Sequence, residues 1–394
     1  MRQTELQGLA TPAYVFDIDR LRATMRRLRA AVGGRAKICY AVKANPFLVE
    51  DLTEEADVFE VCSPGEYDIC ESLRVPAEKI VLSGVYKGEQ DVRRAVRRCG
   101  ERAVYTAESP SQLSLLCRLA QEEGVRLPVL LRLSSGNQFG MDEPTILEFL
   151  QRCEGLPLTV VGIQYYSGTQ KRAETMRKEW QKLCDLTVRA KKLVPTVDRI
   201  EYGPGLRVDY FLGEDTEENS LAVLSEILQD VPPFLHTVLE IGRFIAADCG
   251  AYYTRVVDLK HTEGNAFCIV DGGMHHLKYY GQTMAMKVPF TQQYPLREGG
   301  ERVSRTVCGA LCTTADILVR DLPLNGIAAG DILVFGKAGA YSVTEGISLF
   351  LSRDLPRIYR EEGGKRTLLR DFIQTSKINR KGELNNGKTS GNFK

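Results

Sequence analysis

Residues 36–46 of this 394-residue chain read AKICYAVKANP, an apolar run that ends in a lysine and an Asn-Pro pair. Ile and Tyr favour strands, and Asn-Pro favours a turn, so the run predicts a short β-strand over Ala36–Ala41. Seven similar runs follow it along the chain. They are Val58–Val61, Ile80–Ser83, Arg102–Thr106, Val129–Leu133, Thr159–Tyr165, Arg199–Tyr202 and Val238–Ile241.

Amphipathic stretches with helical period separate most of these strands. They are Asp19–Ala31, Ser63–Ser72, Gly88–Arg98, Ser109–Glu123, Pro144–Arg152, Thr175–Leu193 and Asn219–Val231. Strands that alternate with helices indicate βα units and a parallel sheet. Eight such strands between residues 19 and 248 predict a (β/α)8 barrel. No Gly-x-Gly-x-x-Gly follows an early strand, which argues against a dinucleotide-binding sheet.

The pattern changes after residue 248, where short strands are joined by turn-like or polar segments. They are Tyr252–Leu259, Ala266–Val270, Val303–Val307, Ile317–Val319 and Asp331–Phe335. We therefore predict an α/β protein with a barrel over 19–248 and an antiparallel β domain over 249–370. Residues 1–18 are expected to join the β domain, and the polar tail 371–394 to be poorly ordered and outside the chemistry.

Composition argues against several classes of protein. The formal net charge is +1, from 52 Lys plus Arg against 51 Asp plus Glu, so no nucleic-acid partner is expected. The mean hydropathy is −0.20, and no apolar run is long enough to span a bilayer. The first residues lack the apolar core of a secretory signal, so neither a membrane nor secretion is expected.

Cysteine usage indicates a reducing compartment. The eleven cysteines are irregularly spaced, mostly in apolar segments, and none forms a CxxC pair. The four histidines do not pair with cysteines at metal-ligand spacing, so no metal site is expected. These features predict free thiols in a cytoplasmic protein.

Lys43 is the first candidate for chemistry. It follows the first barrel strand, at the end of the strand where parallel barrels build active sites. A partly buried lysine there can lose its proton and attack a carbonyl group. Taken alone, Lys43 fits better a lysine that merely extends to solvent at the barrel rim.

Six segments together resemble one enzyme family. The stretch 39–46, CYAVKANP, resembles the YAxKAN segment of the fold-type III pyridoxal-phosphate decarboxylases, which include diaminopimelate, ornithine and arginine decarboxylases and, more distantly, alanine racemase. The resemblance continues in order over residues 11–357. The other segments are FEVCSPGE at 59–66, GIQYYSGTQ at 162–170, EIGR at 240–243, CGALC at 308–312 and GAY at 339–341.

The resemblance implies an alanine racemase-like fold and pyridoxal 5′-phosphate as cofactor, joined covalently to Lys43. The implied cofactor-binding residues are Lys43, Glu60, Tyr166, Thr169, Gly203, Gly205, Glu240, Gly242, Arg243 and Tyr341. A Glu240 carboxylate would keep the pyridine nitrogen protonated, so that the ring accepts electrons from a breaking bond; alternatively, Glu240 pairs with Arg243. The glycines would let backbone amides approach the phosphate.

The resemblance also implies a second catalytic residue, Cys312, which would return a proton to the α-carbon after carbon dioxide leaves. In this family that cysteine comes from the second subunit. A homodimer with shared active sites is therefore implied.

This chain departs from the family pattern at the cofactor. Tyr166 stands where the family stacks a histidine on the ring, and Gln164 replaces the other histidine of that motif. An aromatic ring can still stack, but it lacks the hydrogen bonds of imidazole. The family's Gly-Gly-Gly phosphate turn is here Gly203-Pro204-Gly205, which removes one amide donor.

A third departure concerns the substrate. Family members that act on free diamino acids carry Asp or Glu after the cysteine, whereas this chain has Thr313. A neutral hydroxyl disfavours a desolvated ammonium by about 2 kcal/mol or more, so the substrate's far end is expected to be acylated, carrier-linked or a carboxylate. Arg353 would bind such a carboxylate or pair with Asp354. His275, with His276, would line the entrance or lie on a solvated loop.

The sequence thus predicts an amino-acid decarboxylase. The motifs most resemble the subgroup in natural-product and siderophore biosynthesis, some of whose substrates are bound to a carrier protein. Three alternatives stay open: a meso-diaminopimelate decarboxylase of lysine biosynthesis, a racemase that uses the same cofactor, and a non-catalytic regulator that binds it.

Overall fold

The structure, a computed structural model, describes residues 9–297, 299 and 301–381. Its strands in chain order are β1 (Ala13–Asp17), β2 (Lys37–Ala41), β3 (Val58–Val61), β4 (Ile80–Leu82), β5 (Val104–Ala107), β6 (Leu127–Arg132), β7 (Leu158–Tyr166), β8 (Arg199–Gly203), β9 (His236–Ile241), β10 (Gly250–Thr262), β11 (Asn265–Val270), β12 (Thr291–Tyr294), β13 (Arg302–Cys308), β14 (Ile317–Asn325), β15 (Ile332–Phe335), β16 (Arg357–Glu362) and β17 (Lys365–Arg370). Strands β2 to β9 form a closed parallel barrel. The predicted (β/α)8 barrel is confirmed.

The α-helices surround the barrel or follow it. They are α1 (Ile18–Val32), α2 (Val49–Leu52), α3 (Pro64–Ser72), α4 (Glu89–Cys99), α5 (Pro110–Glu123), α6 (Glu143–Arg152), α7 (Ala173–Leu193), α8 (Glu217–Ile227), α9 (Arg243–Ala246) and α10 (Ser342–Glu345). Local sequence sets where they begin. Ser63 and Ser109 each accept a hydrogen bond from a backbone amide of the first turn, and a proline follows each at the start of the helix. These caps start α3 and α5 within three residues of a barrel strand.

The barrel interior changes from apolar to polar along its axis. At one level Cys39, Val58 and Val238 pack against each other inside the barrel. Two residues further along β3 and β9, the same face carries Glu60 and Glu240, because side chains of a strand alternate with a period of two. The carboxyl ends of the strands therefore hold buried acidic groups above an apolar floor.

A buried ion pair, Arg199–Glu201, lies on β8. Glu201 is fully buried and bonded to Nη2 of Arg199, while its Oε1 has no protein partner. Burial raises the pKa of Glu201, although Arg199 opposes this shift.

We expect Arg199→Met to lower the free energy of unfolding by about 3 kcal/mol, because the buried carboxylate loses its cation. The loss should be larger at pH 8 than at pH 5. A carboxyl group whose pKa is raised by folding contributes stability below its unfolded pKa and loses it as pH rises through the folded pKa. Urea unfolding at both pH values measures this. Arg152→Met, which breaks the exposed Arg152–Glu148 pair of α6, is the control and should cost under about 0.5 kcal/mol. Equal losses in the two variants would contradict the expectation.

The nine-stranded β domain contains β1 and the strands after residue 249. Its main path runs β14-β13-β11-β10-β1-β16-β17, and β15 pairs with both β10 and β12. Most pairings are antiparallel, as predicted, but β1–β16 and β11–β13 are parallel. Strands β1, β12, β16 and β17 were not predicted as strands, although residues 1–18 were expected to join the β domain. Of the predicted tail, residues 371–381 contact the β domain through a bridge between Ile373 and Leu355, and 382–394 lie outside the described residues.

The barrel and the β domain meet beside the first barrel strand. Asn45 donates from Nδ2 to the carbonyl of Gly339 at 2.8 Å, and the amide of Tyr341 donates to the carbonyl of Ala44 at 2.7 Å. These bonds hold the 339–341 segment against the turn that carries Lys43. Across the described ranges, no helix is long and apolar enough to cross a bilayer.

Candidate active site

Lys43 lies in a short 3-10 turn, Val42–Ala44, directly after β2. Its Nζ donates to Oε2 of Glu60 at 2.7 Å and to Oε1 of Glu240 at 3.4 Å. It also lies 3.6 Å from Sγ of Cys62, which itself donates to Oε1 of Glu60 at 3.1 Å. The two carboxyl groups are almost fully buried, whereas the Lys43 side chain keeps one-third of its surface exposed. The amine is therefore held in place and still accessible.

The charges of these groups depend on each other. Burial is the largest single influence on Lys43 and lowers its pKa, but Glu60, Cys62, Glu240 and Tyr341 together raise the pKa more, so it lies well above the usual value. Burial raises the pKa of Glu60, but the Lys43 ammonium and the hydrogen bonds with Glu240, Lys43 and Cys62 together lower it to about 2. Burial and the neighbouring Glu60 charge together raise the pKa of Glu240 to about 8. The Glu60 carboxylate therefore pairs with the Lys43 ammonium, and burial beside that negative charge makes Glu240 harder to ionise than a free glutamate.

Gln164 connects Glu240 to the opposite side of the barrel. Its Nε2 donates to Oε2 of Glu240 at 3.1 Å and lies 3.4 Å from Oγ of Ser83. Its Oε1 is buried without a hydrogen-bond partner. Since buried polar atoms are normally paired, this unpaired oxygen points to a group that the site receives from outside.

A pocket next to Lys43 is lined by most of the predicted cofactor residues. Those lining it are Tyr166, Thr169, Gly205, Glu240, Gly242, Arg243 and Tyr341. Glu60 contacts Lys43, and Gly203 packs against Tyr166, where a Cβ on the glycine would lie 2.4 Å from Cδ2 of the tyrosine. At Gly205 the φ angle is +60°, and a Cβ would lie 2.4 Å from the carbonyl oxygen of Gly168, so only glycine fits. All ten residues therefore lie in one neighbourhood.

Arg243 forms the cationic end of this pocket. Its Nε donates to Oγ1 of Thr169 at 3.2 Å, and its Nη1 donates to the hydroxyl of Tyr210 at 3.1 Å. The guanidinium carbon lies 4.3 Å from the ring centroid of Tyr341, a residue with a φ angle of +67°. A non-glycine residue in this conformation is strained, as is common at functional sites. The Glu240–Arg243 salt bridge considered from the sequence is not among the ion pairs found in the described ranges.

These residues fit pyridoxal phosphate. An accessible amine, a buried carboxyl group, an aromatic ring and a glycine turn next to an arginine match the aldehyde, ring nitrogen, ring face and phosphate of that molecule. The unpaired Gln164 oxygen and the close backbone approach at Gly205 are independent signs of a bound group. Among the described residues, no cluster of three or more His, Cys, Asp or Glu could hold a metal ion.

The remaining predicted residues form a second group on the β domain. Cys312 is exposed, and Thr313 accepts a hydrogen bond from the amide of Ala315. Arg353 donates to the carbonyl of Ala310 at 3.0 Å, two residues before the cysteine. None of these residues lines the pocket beside Lys43 within one chain. One protomer therefore does not bring Cys312 to the lysine.

The structure contradicts what the sequence predicted for His275. His275 and His276 are 1% and 3% exposed and their rings lie 3.7 Å apart, so the solvated-loop alternative is wrong. The predicted entrance role also fails within one protomer, because the His275 ring does not reach solvent. The carbonyl of His275 packs against Gly346, where a Cβ would lie 2.1 Å away, and this contact holds the histidine segment inside the β domain.

Two further site residues were missed in the sequence. Cys62 contacts both Lys43 and Glu60, and its position two residues after Glu60, just beyond the end of β3, could have indicated this. Lys171 is buried below the Gly203–Gly205 turn. Its position directly after the Gly168-Thr169-Gln170 segment was the available signal.

Comparisons with known proteins identify relatives over nearly the whole chain. A family model described as the pyridoxal binding domain of pyridoxal-dependent decarboxylases matches residues 18–247. The L-glutamyl-[BtrI acyl-carrier protein] decarboxylase of Niallia circulans is 27% identical, covering 93% of this chain and 94% of its own. The diaminopimelate decarboxylase of Pseudomonas aeruginosa is 30% identical, covering 95% and 91%.

A third relative is the 2-[(L-alanin-3-ylcarbamoyl)methyl]-2-hydroxybutanedioate decarboxylase of Staphylococcus aureus, 24% identical over 90% of this chain and 95% of its own. A solved structure of diaminopimelate decarboxylase from M. jannaschii, in complex with L-lysine, superposes with a TM-score of 0.84. It is 22% identical and covers 95% of this chain and 93% of that chain. The fold is thus shared over both the barrel and the β domain.

Proposed function

Because this chain belongs to the family of pyridoxal-dependent decarboxylases, we propose that it removes carbon dioxide from the α-carbon of an amino acid whose far end carries no free ammonium group. Its cofactor is pyridoxal 5′-phosphate. We propose a carrier-linked, acylated or carboxylate-bearing substrate and a role in natural-product or siderophore biosynthesis. The observation that carries this proposal is Thr313, which stands directly after Cys312.

Nearby acidic groups support this choice of substrate. Asp316 lies three residues after Thr313, but it is 2% exposed. Its two oxygens accept hydrogen bonds from the amides of Met274 and Leu311, at 2.7 and 2.8 Å. This carboxylate is therefore already used inside the protein and cannot also neutralise a substrate ammonium.

Two relatives act on substrates of the proposed kind. One name gives an L-glutamyl group on an acyl-carrier protein, and another gives an alanine joined through C3 to a carbamoyl nitrogen. In both substrates the amino acid is part of a larger conjugate. The diaminopimelate decarboxylases are similar at comparable identity, so meso-diaminopimelate is the competing substrate.

Each site residue has a different proposed role in the reaction. Bound pyridoxal phosphate supplies the electron sink that makes loss of the α-carboxyl group possible. Glu240 holds a proton at the ring nitrogen, Tyr166 presents its aromatic face, and Arg243 with the glycine turn holds the phosphate. Lys43 or Cys312 then delivers a proton to the α-carbon.

Carbon dioxide release from a panel of substrates tests the proposal. The panel contains meso-diaminopimelate, ornithine, lysine, arginine, and side-chain-acylated and carrier-linked amino acids. We expect release from the conjugates and little from the free diamino acids. Release from meso-diaminopimelate at the higher kcat/KM would contradict the proposal and favour lysine biosynthesis, and a product that keeps its carboxylate would indicate a racemase. No cofactor absorbance in the pure protein would favour the non-catalytic regulator.

A substitution at Thr313 makes the same test sharper. We expect Thr313→Glu to raise kcat/KM for a free diamino acid by about tenfold or more, because a carboxylate offsets desolvation of the distal ammonium. Thr262→Glu, on an exposed threonine at the end of β10 and outside the Cys312 region, is the matched control and should leave the preference unchanged. The same shift in both variants would show that bulk charge, and not position 313, sets the preference.

We also propose that two copies of this chain share their active sites. Cys312 is exposed and lies outside the Lys43 pocket of its own chain. The residues after it, Thr314 and Ala315, line a cleft with Met284 and Ile347, whose side chains are 72% and 51% exposed. Exposed apolar groups beside a catalytic candidate support a surface that a second copy covers.

Mixed dimers provide the measurement. Lys43→Ala and Cys312→Ala proteins are each expected to be nearly inactive. After mixing by unfolding and refolding together, the sample should regain about one quarter of wild-type activity, since half of the dimers carry one intact site of two. No recovery in a sample that is dimeric by light scattering would contradict site sharing.

The cytoplasm is the proposed location. All eleven cysteines are free, including the exposed Cys312. Free thiols support a reducing compartment.

A further inference from the structure

The turn Gly203-Pro204-Gly205 rests on a buried lysine, Lys171. The Lys171 side chain is 4% exposed, and its Nζ donates to the carbonyl of Gly203 at 2.8 Å. The backbone amide of Lys171 donates to the carbonyl of Gly205 at 2.9 Å. One residue therefore holds two of the three carbonyl positions of the turn.

These two bonds have a geometric consequence for the opposite side of the turn. In a trans peptide the C=O and N–H groups point in opposite directions. Because the Gly205 carbonyl points to Lys171, the amide of Leu206 points away from it, and both Gly205 and Leu206 line the pocket beside Lys43. Lys171 thus orients an amide donor toward the position proposed for the cofactor phosphate.

A set of buried polar groups fixes the lysine itself. Nζ donates to Oε2 of Glu179 at 2.6 Å, and the hydroxyl of Tyr202 donates to the same oxygen at 2.9 Å. Ser167 bonds the other oxygen of Glu179. The Lys171 stem also packs on the turn, since a Cβ at Gly205 would lie 2.9 Å from Cγ of the lysine. The ammonium is therefore held on the turn side of a buried carboxylate.

Pro204 makes such support necessary. A proline has no N–H, so the turn offers one amide donor fewer than three consecutive glycines would. The buried Lys171–Glu179 pair presents its ammonium to the turn, so a phosphate there meets the positive end of a dipole in a low effective dielectric.

We infer that Lys171 is a positioning residue for the cofactor phosphate, which compensates for the amide lost at Pro204 by orienting the turn and placing a positive charge below it. This inference rests on the proposed placement of the phosphate at the 203–205 turn. It assigns to Lys171 no contact with the substrate.

The test compares two aldehydes that differ only in the phosphate. Apoprotein is titrated with pyridoxal phosphate and with pyridoxal, and both dissociation constants are measured by absorbance and equilibrium dialysis. We expect Lys171→Met to weaken binding of pyridoxal phosphate by about tenfold or more and to change pyridoxal binding by less than about twofold. Lys178→Met, on an exposed lysine of α7, the helix that carries Glu179, is the matched control and should change neither.

A second substitution tests the compensation itself. Adding Pro204→Gly to Lys171→Met restores an amide and should recover part of the lost affinity for pyridoxal phosphate. Lys171→Met leaves Glu179 buried without a cation, which costs stability. The double variant Lys171→Met/Glu179→Leu removes both charges and is the alternative if the single variant does not fold.

The possible results distinguish a wrong role for Lys171 from a wrong placement of the phosphate site. Equal weakening for both aldehydes, no weakening, or failure of both Lys171 variants to fold would overturn the role of Lys171 in phosphate binding. Wild-type protein that binds neither aldehyde, or binds pyridoxal as tightly as pyridoxal phosphate, would instead contradict the proposed phosphate site.

Discussion

Lys43→Ala is expected to lower the rate of carbon dioxide release by about 10⁴-fold or more, the loss that follows removal of a covalent nucleophile. The Lys43 amine is accessible and is oriented by Glu60 and Glu240, at 2.7 and 3.4 Å. Alanine removes the group that would hold the cofactor aldehyde. Radiolabelled carbon dioxide release, with the absorbance of the bound cofactor measured in parallel, provides the readout.

The matched control for this variant is Lys37→Ala, at the exposed start of the same strand β2. It should retain wild-type turnover. Since removal of Lys43 leaves Glu60 without its cation, circular dichroism must show that Lys43→Ala is folded. A folded Lys43→Ala protein with full turnover would exclude the proposed chemistry.

Glu240→Gln is expected to lower kcat by about 100-fold or more, because a neutral amide cannot hold a proton at the ring nitrogen as a carboxyl group does. The amide keeps the size of the side chain and can still bond Gln164, whose Nε2 lies 3.1 Å from Oε2 of Glu240. Cofactor binding should persist, since Lys43 and the phosphate turn are unchanged. Steady-state kcat of cofactor-saturated protein provides the measurement.

Glu240→Asp is the comparison that separates charge from shape. It keeps the carboxyl group at a shorter reach and should lose less activity than Glu240→Gln. If the Asp variant is as slow as the Gln variant, the reaction needs both the carboxyl group and its full reach. A Gln variant at wild-type kcat would remove Glu240 from the mechanism.

The barrel was predictable because apolar residues recur with different spacings in its strands and in its helices, and because clear turn signals separate these elements. All eight predicted strands are present, with ends shifted by up to two residues, since caps and tertiary pairing decide where a strand stops. Strands β16 and β17 were not predicted because charged residues interrupt their apolar positions. Their Gly363-Gly364 turn, with both φ angles positive, was the available hairpin signal.

The site was predictable to the extent that its residues occur at strand ends. Lys43, Glu60 and Glu240 each lie at such an end, and the resemblance supplied the segments around them. Partners that come from distant segments could not be found in this way. Glu179, which holds Lys171, lies on α7, and its role depends on how that helix packs below the turn. The burial of His275 likewise depends on Gly346, about 70 residues later in the chain.

Strand β1 imposes an order on how the protein can be made. During translation, residues 13–17 leave the ribosome before the barrel, yet their sheet partners begin at residues 250 and 357. The barrel strands pair only with each other, so the barrel can form while both edges of β1 are still unpaired. A ribosome that stalls before residue 357 would therefore release a chain with a complete barrel and an unpaired apolar strand edge. Such edges recruit other chains, which makes the stalled nascent product, more than the finished protein, the species prone to aggregate.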